Sequence, residues 1–166
     1  MEVKIEIKSI FDNVLFEFSK ENNTIKDTIE EAVKRGANLG GADLGGADLG
    51  GAYLRGANLG SAYLGSAYLG GANLGSAYLG GANLGSAGKI TSVDDILLIG
   101  PIGSRADYTH IYRTDKGVYV KCGCFLGTVD EFASKVKDTH GDNKFANQYL
   151  KVIDFVNKYF KKDEQH

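Results

Sequence analysis

A chain of 166 residues with 43% hydrophobic content can build one core or two small ones, and at this length neither a metal nor a disulfide is needed for folding. The 19 basic and 21 acidic residues leave a net charge of −2, which argues against strong electrostatic binding of nucleic acid. Glycine is in excess, with 23 residues where average usage gives about 12, and 16 of them fall within residues 37–88. No apolar run approaches the ~20 residues of a membrane-spanning helix, so no membrane partner is expected. The opening Met1-Glu2-Val3-Lys4-Ile5-Glu6 alternates charge with hydrophobe and is not expected to act as a secretory signal. Cys122 and Cys124 sit one residue apart, poorly placed for a structural disulfide, so a reducing cytoplasm is the expected setting.

In chain order, Val3, Ile5 and Ile7 alternate with Lys4, Glu6 and Lys8, the pattern of a half-buried strand. Asp12-Asn13 offers a two-residue turn, and Val14–Phe18 the return strand. Thr24 reads as a helix N-cap with Asp27 three residues on. Ile25, Ile29, Ala32 and Val33 form one apolar stripe, and Lys34-Arg35-Gly36 a C-terminal stop. Residues 1–36 are expected to be a hairpin and helix that cap the segment beginning at Ala37.

From Ala37 the chain runs through ten five-residue units without an insertion: ANLGG ADLGG ADLGG AYLRG ANLGS AYLGS AYLGG ANLGS AYLGG ANLGS. Alanine opens every unit and leucine holds every third place. The second place is Asn, Asp or Tyr; the fourth and fifth are Gly or Ser apart from Arg55. On a straight helix, positions five apart turn by about 500°, so the leucines would form no stripe. On a long strand an odd period puts successive leucines on opposite faces. Each unit must therefore end in a turn that restores the inward direction, which small residues at the fourth and fifth places permit. A five-residue period without proline excludes collagen, and ten leucines at invariant spacing argue against disorder.

These A(D/N)LXX units resemble the pentapeptide-repeat family. The resemblance covers residues 37–86 and implies a mainly β fold: a right-handed quadrilateral β-helix of about two and a half coils, with four units per coil. It further implies leucine at the coil centre, alanine beside it, and the other three places outward. Outward residues then stack twenty apart, as Asn38/Asn58/Tyr78, Asp43/Tyr63/Asn83, Asp48/Tyr68 and Tyr53/Asn73. Tyr53, Tyr63, Tyr68 and Tyr78 form a belt, one on each wall. Tyr, Ser, Gly and Asn are the alphabet of binding surfaces, where rigid aromatic anchors sit beside small adaptable residues. Aromatic residues are also common on any exposed β-surface.

The repeat breaks at Lys89-Ile90. Ser92-Val93-Asp94-Asp95 reads as a short helical start, and Leu97-Leu98-Ile99 precedes Gly100-Pro101-Ile102-Gly103-Ser104-Arg105. Tyr108–Arg113 and Val118–Phe125 flank Thr114-Asp115-Lys116-Gly117, a hairpin signal. Thr128-Val129-Asp130-Glu131 is a capping box opening a helix with Phe132, Ala133 and Val136 inward. After Thr139-His140-Gly141-Asp142, with Asp142 as N-cap, a last helix carries Phe145, Tyr149, Ile153, Val156 and Phe160 on one side. The expected organisation is a hairpin-helix cap (1–36), a repeat β-helix (37–88) and an α+β domain (89–166). This tail is similar to C-terminal regions that follow pentapeptide repeats in bacterial and phage proteins, a likeness that implies no activity.

Cys122, Cys124, His110 and His140 are the candidate metal group, but a spacer of one residue is shorter than structural zinc sites use. Val118, Val120, Cys122 and Cys124 instead continue one apolar face, so core packing is the expected role and no metal or cofactor is expected. The loop Gly100–Arg105 lacks the lysine and spacing of a phosphate loop and reads as a tight turn. No convergent acid, base and nucleophile is visible, so the chain is not expected to be an enzyme. The expected function is a non-catalytic structural or interaction protein, binding a protein partner or a second copy of itself through the tyrosine belt. The alternative, by family analogy, is a DNA-mimicking inhibitor of a type II topoisomerase such as gyrase. Asp43 and Asp48 against Arg55 give the repeat a net charge of only −1, too little to imitate one phosphate per ~1.7 Å of duplex.

Overall fold

The structure is a computed structural model that describes residues 1–91 and 96–161; the helical start read at Ser92–Asp95 lies outside them. Strands β1 (Glu2–Lys8) and β2 (Val14–Glu21) pair antiparallel, and the alternation of the sequence sends Ile7 inward while Val3 stays exposed. The two-residue turn at Asp12-Asn13 is corrected to a five-residue loop, because Lys8 pairs with Val14 across a bulge. Ser9 organises that loop: its hydroxyl accepts from the amides of Phe11 and Asn13, and its amide donates to the Asn13 carbonyl. Helix α1 (Ile25–Lys34) begins at Thr24 in a complete capping box with Asp27. Lys20 lies 2.7 Å from the same carboxylate, and together with Thr24 it draws the Asp27 pKa down to about 2.

From Ala37 the chain advances by short parallel rungs between residues twenty apart: Asn38–Asn58, Asp43–Tyr63, Asp48–Tyr68, Tyr53–Asn73, Asn58–Tyr78 and Tyr63–Asn83. Each leucine amide donates to the second-place carbonyl one layer on, from Leu39 to Asn58 (3.1 Å) through Leu64 to Asn83 (2.7 Å). The leucines are buried throughout, from 0% exposure at Leu39 to 6% at Leu74, with the alanines packed among them. The two small places do different jobs. From Gly41 to Gly81 the fifth-place residues hold positive φ whether glycine (Gly46, 69°) or serine (Ser61, 56°), so the turn resides there. Fourth-place glycines before Gly85 do not; they leave space for a neighbouring side chain.

The repeat ends in a 3-10 turn at Gly85–Ala87, after which Ile90 pairs back onto the last layer through the Ala82 carbonyl and the Gly81 amide. Strands β3 (Ile96–Ile102), β4 (Asp107–Thr114), β5 (Gly117–Cys122) and β6 (Phe125–Thr128) then form one antiparallel sheet in sequence order. Helices α2 (Val129–His140) and α3 (Lys144–Lys161) come last. This sheet is a middle layer. Tyr112 and the half-buried Ile96, Tyr119 and Leu126 join the core of the repeat, while Ile111, Val120 and Cys122 join α2 and α3.

The chain is thus a mixed α/β protein, which corrects the mainly β expectation: helices of 10, 12 and 18 residues stand against six strands of 4 to 8, and the repeat layers meet in single-residue bridges. Val118–Phe125 is not one strand, because Gly123 (φ 57°) turns the chain between β5 and β6. The cap of α3 is Asn143 in place of Asp142, its side-chain oxygen accepting from the amides of Phe145 and Ala146.

Candidate functional site

The second place of each repeat unit is finished in one of two ways. Where it is Asn or Asp, the side-chain oxygen accepts from the amide two residues on, as Asp43 does from Gly45 (3.1 Å) and Asp48 from Gly50 (3.0 Å). Where it is Tyr63, Tyr68 or Tyr78, the ring lies flat along the wall, over one glycine of its own unit and one of the layer before. A Cβ on Gly45 would come within 2.6 Å of the Tyr63 ring, one on Gly50 within 2.6 Å of Tyr68, and one on Gly60 within 2.5 Å of Tyr78. The glycine walls beside these rings are therefore covered by the tyrosines themselves.

The four tyrosines differ in what remains open. Tyr53 (55%), Tyr78 (53%) and Tyr63 (37%) are exposed, and their bridges place them in three different ladders, Tyr53–Asn73, Asn58–Tyr78 and Asp43–Tyr63. Tyr68, in the Asp48–Tyr68 ladder, is half-buried with the Lys121 ammonium 5.9 Å from its ring centre.

The four candidate metal ligands are not gathered. His110 is buried on the repeat side of the sheet, where its Nε2 meets the Ala72 carbonyl (3.2 Å) and its Nδ1 the Tyr112 hydroxyl (3.1 Å). A carbonyl only accepts, so Nε2 carries the proton and Nδ1 accepts from Tyr112. Burial draws the His110 pKa down to about 4, against the bond to Ala72, which raises it. Cys122, on β5, faces the helices and lies 3.8 Å from the Tyr149 hydroxyl. Cys124 sits exposed in the turn after it, so the two thiols do not share one apolar face, as the alternation suggested. Among the described residues no three of His, Cys, Asp and Glu are grouped as a metal site would need.

Cys122, Cys124 and His140 do border one shallow cavity of about 220 Å3, together with Arg105, Lys135 and Tyr149. The Gly100–Arg105 segment enters it from the end of β3, with the Gly103 amide bound to Gln148 Oε1 (3.0 Å). A second cavity, of about 350 Å3, opens between the last repeat layer and the sheet and contains Lys121. Lys121 was not singled out by the sequence. Its signal was an amine on the same face of β5 as Tyr119, which looks toward the repeat.

A family model for pentapeptide repeats matches residues 35–71, in eight copies. That segment is accordingly a run of pentapeptide repeats, a family that points to structural or interaction roles rather than catalysis. No curated protein and no solved structure matches it. No helix among the described residues is long and apolar enough to cross a membrane.

Proposed function

We propose that this protein is a non-catalytic interaction protein whose repeat segment engages another protein surface, a partner or a second copy of the chain. In this reading the repeat is a right-handed quadrilateral β-helix of about two and a half coils, capped by residues 1–36 and followed by the region 89–166. The observation that carries the proposal is the set of three exposed tyrosines, Tyr53, Tyr63 and Tyr78, in three different bridge ladders. The rings of Tyr63 and Tyr78 are pinned flat over glycine, so little side-chain freedom is left to lose on binding.

The DNA-mimic alternative finds less support. The two repeat carboxylates, Asp43 and Asp48, are tied to their own backbone and form no acidic stripe. Replacing Tyr53, Tyr63 and Tyr78 together by Ser is expected to lower the mass seen by light scattering, or to abolish capture of a partner, with the circular dichroism unchanged. Identical mass and identical capture would overturn the proposal. Potent inhibition of gyrase supercoiling would replace it with the alternative.

A further inference from the structure

The hydrogen-bond ladders of the repeat run out at one place. Third-place amides donate one layer on at Leu39, Leu44, Leu49, Leu54, Leu59 and Leu64; Leu69 is the first that has no carbonyl to meet among the described residues. Fifth-place amides do the same at Gly41, Gly46, Gly51, Gly56 and Ser61, and Ser66 is the first without a partner there among the described residues. The cause is the turn at Gly85–Ala87, which takes the chain off the course of the next layer. Leu69 and Ser66 both line the 350 Å3 cavity beneath the sheet.

Lys121 borders the same cavity and is 9% exposed. No carboxylate pairs with it and no carbonyl accepts from it among the described residues. Its neighbours are the Tyr68 ring, the neutral His110 across the strand pair and the Cys124 thiol. Partial burial lowers its pKa, the expected response of an amine half withdrawn from water without a counter-charge. An anion joining it in the cavity would supply the missing counter-charge. A cationic occupant would be repelled, and an apolar one would leave an ammonium and two amides without acceptors.

We propose that this cavity binds a small oxyanion, a phosphate or a carboxylate, held by the Lys121 ammonium and the backbone amides of Ser66 and Leu69. An oxyanion supplies both the missing charge and the several acceptor lone pairs that these donors require. The site lies where the repeat meets the sheet, so its occupancy also ties those two layers together. It stands independently of whether the tyrosine walls bind a protein.

The test is a titration of the full 15N-labelled chain with inorganic phosphate and, separately, with acetate, followed through the amide resonances. Saturable shifts at Ser66 and Leu69 are expected with one anion or both, and the stronger of the two names the headgroup. Lys121→Met is expected to weaken binding about tenfold or more, the effect of losing a charged hydrogen bond, while Lys121→Arg retains most of it. The double variant Tyr53→Ser/Tyr78→Ser, remote from the cavity lining, is expected to bind the anion like the parent. Absence of saturable shifts at both amides with both anions, or undiminished binding by folded Lys121→Met, would overturn the proposal. The parent titration decides by itself should a variant fail to fold.

Discussion

The two ends of the repeat are closed by different means. At the N-terminal end backbone meets backbone: the Ile10 amide donates to the Gly41 carbonyl (2.9 Å) and the Asp43 amide to Lys8 (2.8 Å). Helix α1 completes the seal with the Lys26 ammonium on the Gly50 carbonyl (3.0 Å) and the Glu30 carboxylate on the Tyr53 amide (2.8 Å). At the C-terminal end side chains do much of the work. His110 reaches the Ala72 carbonyl, and the Thr114 hydroxyl donates to the Ala87 carbonyl (2.6 Å). A paired strand satisfies donors and acceptors along its length, whereas a side chain satisfies the single atom it reaches. The gaps between such contacts become cavities, and here the gap holds Lys121.

The contrast can be broken most forcefully through what both ends share. Leu59 has no exposure in the middle of the stack, and Leu59→Ala is expected to cost ~2–5 kcal/mol in urea unfolding. If the loss fell below about 1 kcal/mol, the layers would not be one packed core.

The C-terminal closure is expected to be acid-sensitive. The unfolded His110 binds a proton near pH 6.5 and the folded one only near pH 4, so the unfolded chain is protonated first. Stability from this group is complete above pH 6.5 and is lost as pH falls toward 4, by as much as ~3 kcal/mol. His110→Gln removes the titration, so the gap in unfolding free energy between parent and variant is expected to shrink from pH 7 to pH 4.5. A constant gap would show that His110 does not titrate as its burial requires.

The N-terminal closure rests on the cap of α1, and Thr24→Ala is expected to cost ~1 kcal/mol, read as a lower urea midpoint at neutral pH. The smallest effects sharpen the comparison by sign. In buffer free of phosphate and carboxylate, Lys121→Met at the open end is expected to stabilise the fold by about 1 kcal/mol or less, read as a higher midpoint. Lys26→Met at the sealed end is expected to lower it slightly, because that ammonium has a carbonyl to hold.

The repeat was legible because its period is a packing instruction. Ala and Leu at fixed places name the core, and the resemblance to pentapeptide repeats, with its four units per coil, supplies the twenty-residue offset that names rungs such as Asp43–Tyr63. Both capping boxes were legible too, since Thr24/Asp27 and Thr128/Glu131 are local chemistry. What escaped was set by contacts distant in sequence. The β5–β6 turn at Gly123 lies within an alternating pattern that reads as one continuous strand. That Tyr68 is covered, and Tyr53 open, depends on where Lys121 arrives from about fifty residues away. The role of Lys121 depends on ladders that stop, and a ladder's end leaves no mark on the residues at its edge.

The tyrosine rings lying over glycine set a rule for rewriting these walls. A ring at a second place occupies the slot of the fourth-place residue eighteen positions earlier, as Tyr63 does over Gly45 and Tyr78 over Gly60. Arg55 is the fourth-place residue that is neither glycine nor serine, and the residue eighteen positions after it is Asn73, with no ring to accommodate. A designer moving a tyrosine to the place of Asn73 must therefore edit Arg55 as well, and a library that varies these positions one at a time would discard a combination that fits only as a pair.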